Sequence, residues 1–258
     1  MRLIVLFIGF LCFFSCTSKE TKTLEKGNYR GFLQIQDNEE IPFLFQVEND
    51  TLLTIFNADE KIKVDEITYT NDSVKIQTPV FEGYIIAKLN ETGLEGTFHK
   101  PSLDRIVPFK AVKGSARFSV NKRASVNISG NWETVFSKDA EVDKYIAKGL
   151  FNQKGNSVTG TFRTTSGDYR YLEGVMDGDS LRLSTFDGAH AFLFKAKATD
   201  STLNGFFYSD NHWKEPFTAK RNPDYELPEI DELTYLKEGY DTLEFSFPDE
   251  NGNMVSLS

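Results

Sequence analysis

Gly167-Asp168-Tyr169-Arg170-Tyr171-Leu172-Glu173-Gly174-Val175-Met176-Asp177-Gly178-Asp179-Ser180-Leu181-Arg182-Leu183-Ser184-Thr185-Phe186-Asp187-Gly188-Ala189-His190-Ala191-Phe192-Leu193-Phe194 decides the fold. Leu181/Leu183 and Phe192/Phe194/Ala196 alternate with their neighbours at period two, the spacing that puts side chains on one face of a strand. Asp177-Gly178 and Asp187-Gly188 stand where two such strands turn back, because residues that tolerate positive φ close tight hairpins. The stretch predicts short antiparallel strands, and Val158/Gly160/Phe162 upstream and Asn204-Gly205-Phe206-Phe207-Tyr208 downstream continue the rhythm.

A weaker copy lies earlier in the chain. Asn28-Tyr29 matches Asn131-Trp132, Asp72-Ser73 matches Asp179-Ser180, Leu94-Glu95-Gly96 matches Leu203-Asn204-Gly205, and Pro108-Phe109 matches Pro216-Phe217. These anchors keep one order at offsets of 103, 107, 109 and 108 residues, the signature of an internal repeat. Between them Phe43/Phe45/Val47 and Val74/Ile76 alternate, with Asn49-Asp50 and Asn71-Asp72 at turn positions. The fold class expected is all-β: two repeated antiparallel β-barrel or sandwich-like modules, or one larger closed sheet built from two halves.

Around this core the chain divides by composition. Residues 1–15 read as a signal peptide: Arg2, an apolar run from Leu3 to Phe14, then Ser15. The run is shorter than the roughly 20 residues a spanning helix needs. Residues 16–27 read as a polar tether, reaching on the order of 15–20 Å as a coil. Module one covers 28–113, a connector 114–128 (with Phe118 and Val120 able to form an edge strand), module two 129–221, and an acidic Pro-containing linker 222–240. In that linker Glu229 to Lys237, between Pro228 and Gly239, predicts one short helix. Phe245-Ser246-Phe247 and Met254-Val255 flank Pro248-Asp249-Glu250-Asn251-Gly252, which predicts a hairpin.

The 258 residues carry a net charge of −9, which argues against a surface that tracks nucleic-acid phosphates or anionic lipid headgroups. Forty per cent of them are hydrophobic and 23 are Phe, enough for a packed core. The chemistry is sparse. His99, His190 and His212 lack the close spacing of a metal motif, and no hydrolase elbow, phosphate loop or dinucleotide fingerprint is present. No catalytic residue, metal ligand or cofactor is therefore assigned. His190, after the Asp187-Gly188 turn, and Asp168, Tyr169 and Arg170 are the candidate ligand or domain contacts; the alternative for them is a solvated face.

Phe13-Phe14-Ser15-Cys16 resembles a bacterial lipoprotein cleavage site, although Phe13 departs from the usual leucine. The resemblance implies that Cys16 is lipidated and anchors the chain to a membrane of the bacterial cell envelope. With Cys12 in the leader, the mature chain then holds no free thiol, so it cannot itself exchange disulfides.

Val158 to Phe162, Gly167 to Gly174 and Phe186 to Phe192 together resemble the β-rich N-terminal region of TlpA-like, redoxin-family lipoproteins. The ending Phe245 to Ser258 resembles the opening hairpin of their thioredoxin-like domain. The resemblance implies a non-catalytic front region (241–258 being an incomplete redoxin start) of a membrane-anchored thiol–disulfide oxidoreductase, with envelope proteins as partners through the absent domain. No Cys-x-x-Cys is present, so no active-site residue is carried over. The alternative expectation is a stand-alone β-barrel lipoprotein that binds an apolar ligand or an envelope partner.

Overall fold

The computed structural model describes residues 22–229 and 234–257. The chain is all-β, as expected, and the two repeats form two separate barrel-like sheets rather than one. The first comprises β1 (Gly27–Gln34), β2 (Glu40–Asn49), β3 (Leu52–Asn57), β4 (Glu60–Val64), β5 (Glu66–Thr70), β6 (Ser73–Gln77), β7 (Tyr84–Asn90), β8 (Gly93–Lys100) and β9 (Arg105–Lys113). The second comprises β10 (Gly130–Phe136), β11 (Tyr145–Lys154), β12 (Ser157–Thr164), β13 (Leu172–Asp177), β14 (Ser180–Phe186), β15 (Ala191–Ala198), β16 (Thr202–Ser209) and β17 (Trp213–Arg221).

The repeat extends to the pairing register. Leu33 opposes Phe109 in the first sheet and Phe136 opposes Phe217 in the second. Ser73 opposes Lys88, and Ser180 opposes Lys197. Gly96 and Gly205 serve the same purpose in both: a Cβ would lie about 2.0 Å from the Ile86 carbonyl oxygen at one and 1.9 Å from that of Lys195 at the other. Only glycine allows so close a strand approach.

The sheets differ at the closing strand. In the second, β13 pairs with both β12 and β14 and the barrel is closed. In the first, the corresponding chain is split: among the described residues β4 pairs only with β3 and β5 only with β6, and the sheet is open between them. The cause is a slip of parity. Val64 and Ile67 are both buried while Asp65 and Glu66 between them are exposed, and a strand of period two cannot keep positions three apart on one face.

Trp132, Phe136, Phe162, Phe194 and Phe217 fill the second barrel, all less than 2% exposed. Phe136 meets Phe162 edge to face at 5.5 Å, and Phe194 stacks on Phe207 at 4.7 Å, geometries that aromatic quadrupoles favour. The wall facing outward alternates with these and carries charge: Glu133, Arg163, Arg182, Lys195 and Lys220. Apolar-in and charged-out is the reverse of a membrane-spanning barrel. This wall is built to face water.

The barrels interlock. The tip of the β14–β15 hairpin enters the first barrel at the end ringed by residues 35–39, 58–59, 78–83 and 101–104. Phe186, fully buried, stacks on Phe43 at 4.2 Å and meets Phe98 at 5.1 Å, so barrel 2 completes the core of barrel 1. Gly188 at φ +93 allows the approach, since a Cβ there would strike the Thr78 side chain at 2.4 Å. The Asn57 side chain takes the place of a pairing strand, donating to the Phe186 carbonyl (2.9 Å) and accepting from its amide (3.2 Å). Ion pairs ring the contact: Arg170–Glu60 at 2.6 Å, Lys214–Asp37 at 2.6 Å, Lys100–Asp210 at 2.9 Å, and Lys195–Glu39.

Three local expectations differ from the structure. Phe118 and Val120 form no edge strand, because the connector is drawn inward by Arg117, described below. At the Asp-Gly turns positive φ falls on the glycine, at +64 for Gly178 and +93 for Gly188, and not on the aspartate before it. Asp187 instead is buried and receives the amides of Ala189 and His190, which fixes a wider loop. The helix expected over Glu229–Lys237 falls partly on residues 230–233, outside the described residues; Glu229 and residues 234–237 have no regular secondary structure. Leader residues 1–15 and Cys16 also lie outside the described residues. Leu24, near the end of the expected tether, is already buried in the first barrel, and Tyr29 bonds the Glu25 carbonyl. The terminal hairpin forms as β18 (Ser246–Pro248) and β19 (Met254–Ser256), with Phe247, Met254 and Val255 exposed.

Candidate functional site

The two barrels have equivalent mouths, and among the described residues they are filled differently. The mouth of barrel 1 is stoppered by Phe186. That of barrel 2 opens into a cavity of about 660 Å³ bordered by residues 164–169 and by His212 and Trp213, within the size range of small-ligand pockets. Phe192, Phe207, Tyr145, Tyr169 and Trp213 give it an aromatic lining. Tyr169 meets Phe207 at 4.9 Å and Phe192 at 5.4 Å, both edge to face.

At its base lies a polar chain. Glu215, 4% exposed, accepts from Tyr145 Oη at 2.7 Å and from Ser137 Oγ at 2.6 Å. Tyr145 Oη in turn contacts Tyr169 Oη. Ser137 is held at φ +46, an uncommon backbone for a non-glycine residue. The shared register makes the comparison with barrel 1 direct. Tyr145 opposes Phe136 as Ile41 opposes Leu33, and Glu215 opposes Phe207 as Val107 opposes Phe98. The stoppered mouth has two fully buried aliphatic residues where the open mouth has a phenol and a carboxylate. A buried polar cluster costs stability unless satisfied, so its presence only in the open barrel points to a use there.

Burial pushes the Tyr145 hydroxyl well above the usual tyrosine range, with Tyr169 and Glu215 adding to it. Burial likewise pushes Tyr169 up to about 12, against the opposing hydrogen bond to Tyr145. Both folded values stand above the ordinary 10.0, so the folded state holds these protons more tightly. The resulting stability is complete below pH 10 and declines as pH rises towards 12. A phenolate absorbance titration therefore leaves Tyr145 and Tyr169 un-ionised after the exposed tyrosines have titrated, with Tyr169 following near 12 and Tyr145 last. Co-titration of all tyrosines near the ordinary value would overturn this arrangement.

The residues singled out in the sequence divide between the two features. Asp168 and Tyr169 border the cavity. Arg170 turns away, pairing with Glu60 of barrel 1 and lying 3.1 Å from Asp187. His190 Nδ1 lies 2.9 Å from Asp187 Oδ2, and its ring meets Phe81 of barrel 1 at 6.0 Å. Burial raises the Asp187 carboxyl, but the His190 ring and amide and the Ala189 amide outweigh it and hold the group below its usual range. Thus one pair belongs to the mouth and the other to the contact between barrels. Among the described residues no group of three His, Cys, Asp or Glu side chains is placed to hold a metal.

Sequence reasoning passed over Glu215, Tyr145 and Ser137. A signal for Glu215 was present: it sits two before Phe217 on an inward face, aligned by the repeat with Val107. Tyr145 and Ser137 had no such mark.

Neither a protein-family model nor a curated protein matches the chain. Among solved structures it is similar, at 12% identity and a TM-score of 0.24, to a Bacteroides fragilis crystal structure described as a putative outer membrane protein; the match covers 76% of this chain and 97% of that one.

Proposed function

We propose that the chain is a β-barrel protein of the bacterial cell envelope that binds a small, largely aromatic or apolar ligand in the mouth of barrel 2. The observation that carries this is the aromatic mouth with its buried Glu215–Tyr145–Tyr169 chain, in which Glu215 and Tyr145 take positions held by Val107 and Ile41 in the stoppered barrel. The leader and Cys16 read in the sequence support an envelope location with a lipid anchor.

The test is titration with N-phenyl-1-naphthylamine, a neutral dye that fluoresces in apolar surroundings. Saturable binding at one site per chain is expected, and Ser166→Trp, an exposed change on the rim, should weaken it by at least about tenfold. Absent saturation, or equal affinity in the variant, overturns the reading. A second reading, the front region of a thiol–disulfide oxidoreductase, rests on the redoxin resemblance of Val158 to Phe192 and Phe245 to Ser258 read in the sequence.

A further inference from the structure

The lining of the open mouth is electrostatically one-sided. Asp168 and Glu215 border it, and among the described residues no lysine or arginine does. Glu215 is nearly buried, and its partners are the hydroxyls of Tyr145 and Ser137 rather than a cation. Each of its two oxygens is met by a neutral hydroxyl, so no fixed cation is paired with this side chain among the described residues. The third acid nearby is already matched, since Asp210 lies 2.9 Å from Lys100 and 3.5 Å from Arg105. The one basic-type side chain on the rim, His212, is held towards its neutral form by burial and by Arg105. An anionic ligand would meet no lysine or arginine among the described lining residues, and the nearby Lys100 and Arg105 are paired with Asp210.

Aromatic faces supply the remaining wall. Tyr169, Phe192 and Phe207 stand mutually edge to face over the carboxylate, and Trp213, 40% exposed, stands at the rim. Rings around a buried carboxylate attract an organic cation twice, by their quadrupoles and by the charge behind them.

We infer that the ligand of the barrel 2 mouth is an organic cation, an amine or quaternary ammonium on an apolar or aromatic body, with Glu215 as its counter-charge. The inference rests on the mouth being a ligand site. Its charge and the site itself are separately testable with three probes that share one ring: benzyltrimethylammonium, benzyl alcohol and benzoate, titrated calorimetrically into the whole chain.

Benzyltrimethylammonium should bind at least about tenfold more tightly than benzyl alcohol, with benzoate weakest. Glu215→Gln, which keeps the side-chain shape, should reduce the cation-to-alcohol ratio to less than about threefold. Equal affinities for cation and alcohol, with binding still weakened by Ser166→Trp, would overturn the cation assignment and leave the ligand site standing. No saturable binding by the dye or any probe would overturn both. A ratio unchanged in Glu215→Gln would remove Glu215 from the role. Should that variant fail to fold, the wild-type ratio decides the cation question alone.

Discussion

Arg117→Ala is expected to lower the free energy of unfolding by about 3–5 kcal/mol, although the residue lies in what reads as a connector. The side chain is 4% exposed. It donates to the Phe56 carbonyl at 2.5 Å, the Pro42 carbonyl at 3.2 Å, Ser184 Oγ at 3.1 Å and Glu173 Oε2 at 3.1 Å. One guanidinium thus joins β2, β3, β13 and β14 across the two barrels. Burial lowers its proton affinity and Glu173 opposes that; so rigid a fork of donors stays charged. Replacing a whole buried ion pair by apolar residues is often harmless, but that argument fails here. Three of its acceptors are backbone carbonyls, of Phe56, Pro42 and Ser184 (3.4 Å), that no substitution at 117 removes. Pro42 keeps a bond from Ser184 Oγ, but each acceptor left orphaned costs about 1–3 kcal/mol. Arg117→Leu should therefore rescue little.

The measurement is urea unfolding followed by two probes. Trp132 and Trp213 both belong to barrel 2, so their fluorescence follows that barrel, while far-ultraviolet circular dichroism follows both. In Arg117→Ala the dichroism transition should begin before the fluorescence transition, as the barrels uncouple. A loss under about 1 kcal/mol with coincident transitions would show that the guanidinium does not hold the barrels together.

Phe186→Ala is the second large effect, again about 3–5 kcal/mol. Removing the ring deletes the contacts with Phe43 and Phe98 and leaves a void in the mouth of barrel 1. Barrel 1 cannot collapse into that space, because its wall is held by β1 pairing with β2 on one side and β9 on the other. The vacated mouth is lined by aliphatic and aromatic residues such as Ile41, Val107 and Phe98, so the variant should take up N-phenyl-1-naphthylamine at a second site. Stability within about 1 kcal/mol of wild type and unchanged dye stoichiometry would mean that Phe186 is not the stopper.

These effects concern residues whose importance no local pattern revealed, whereas the strands themselves were plain. Alternation in Phe43/Phe45/Val47 and Phe192/Phe194/Ala196 placed those side chains inward, and the offsets between anchors foretold the matching registers of the two sheets. Such features are local: period two specifies a face, and a glycine or aspartate specifies a turn. By itself, then, the sequence determined the all-β class, the duplication and most of the turns. It also brought Asp168 and Tyr169 forward as candidates, and both border the open mouth.

Only the tertiary structure decided that the two units are distinct barrels, that one opens at Asp65 while the other closes through β13, and that the Asp187-Gly188 tip is a stopper rather than a solvent turn. It alone brought Ser137, Tyr145, Tyr169 and Glu215 together, residues up to 78 positions apart, and turned Arg117 inward. The physical reason is common to all of these. Alternation tells a side chain which face to take, but its neighbour across a closed sheet depends on strand order, register and what docks on the end, and those are settled by packing between distant segments.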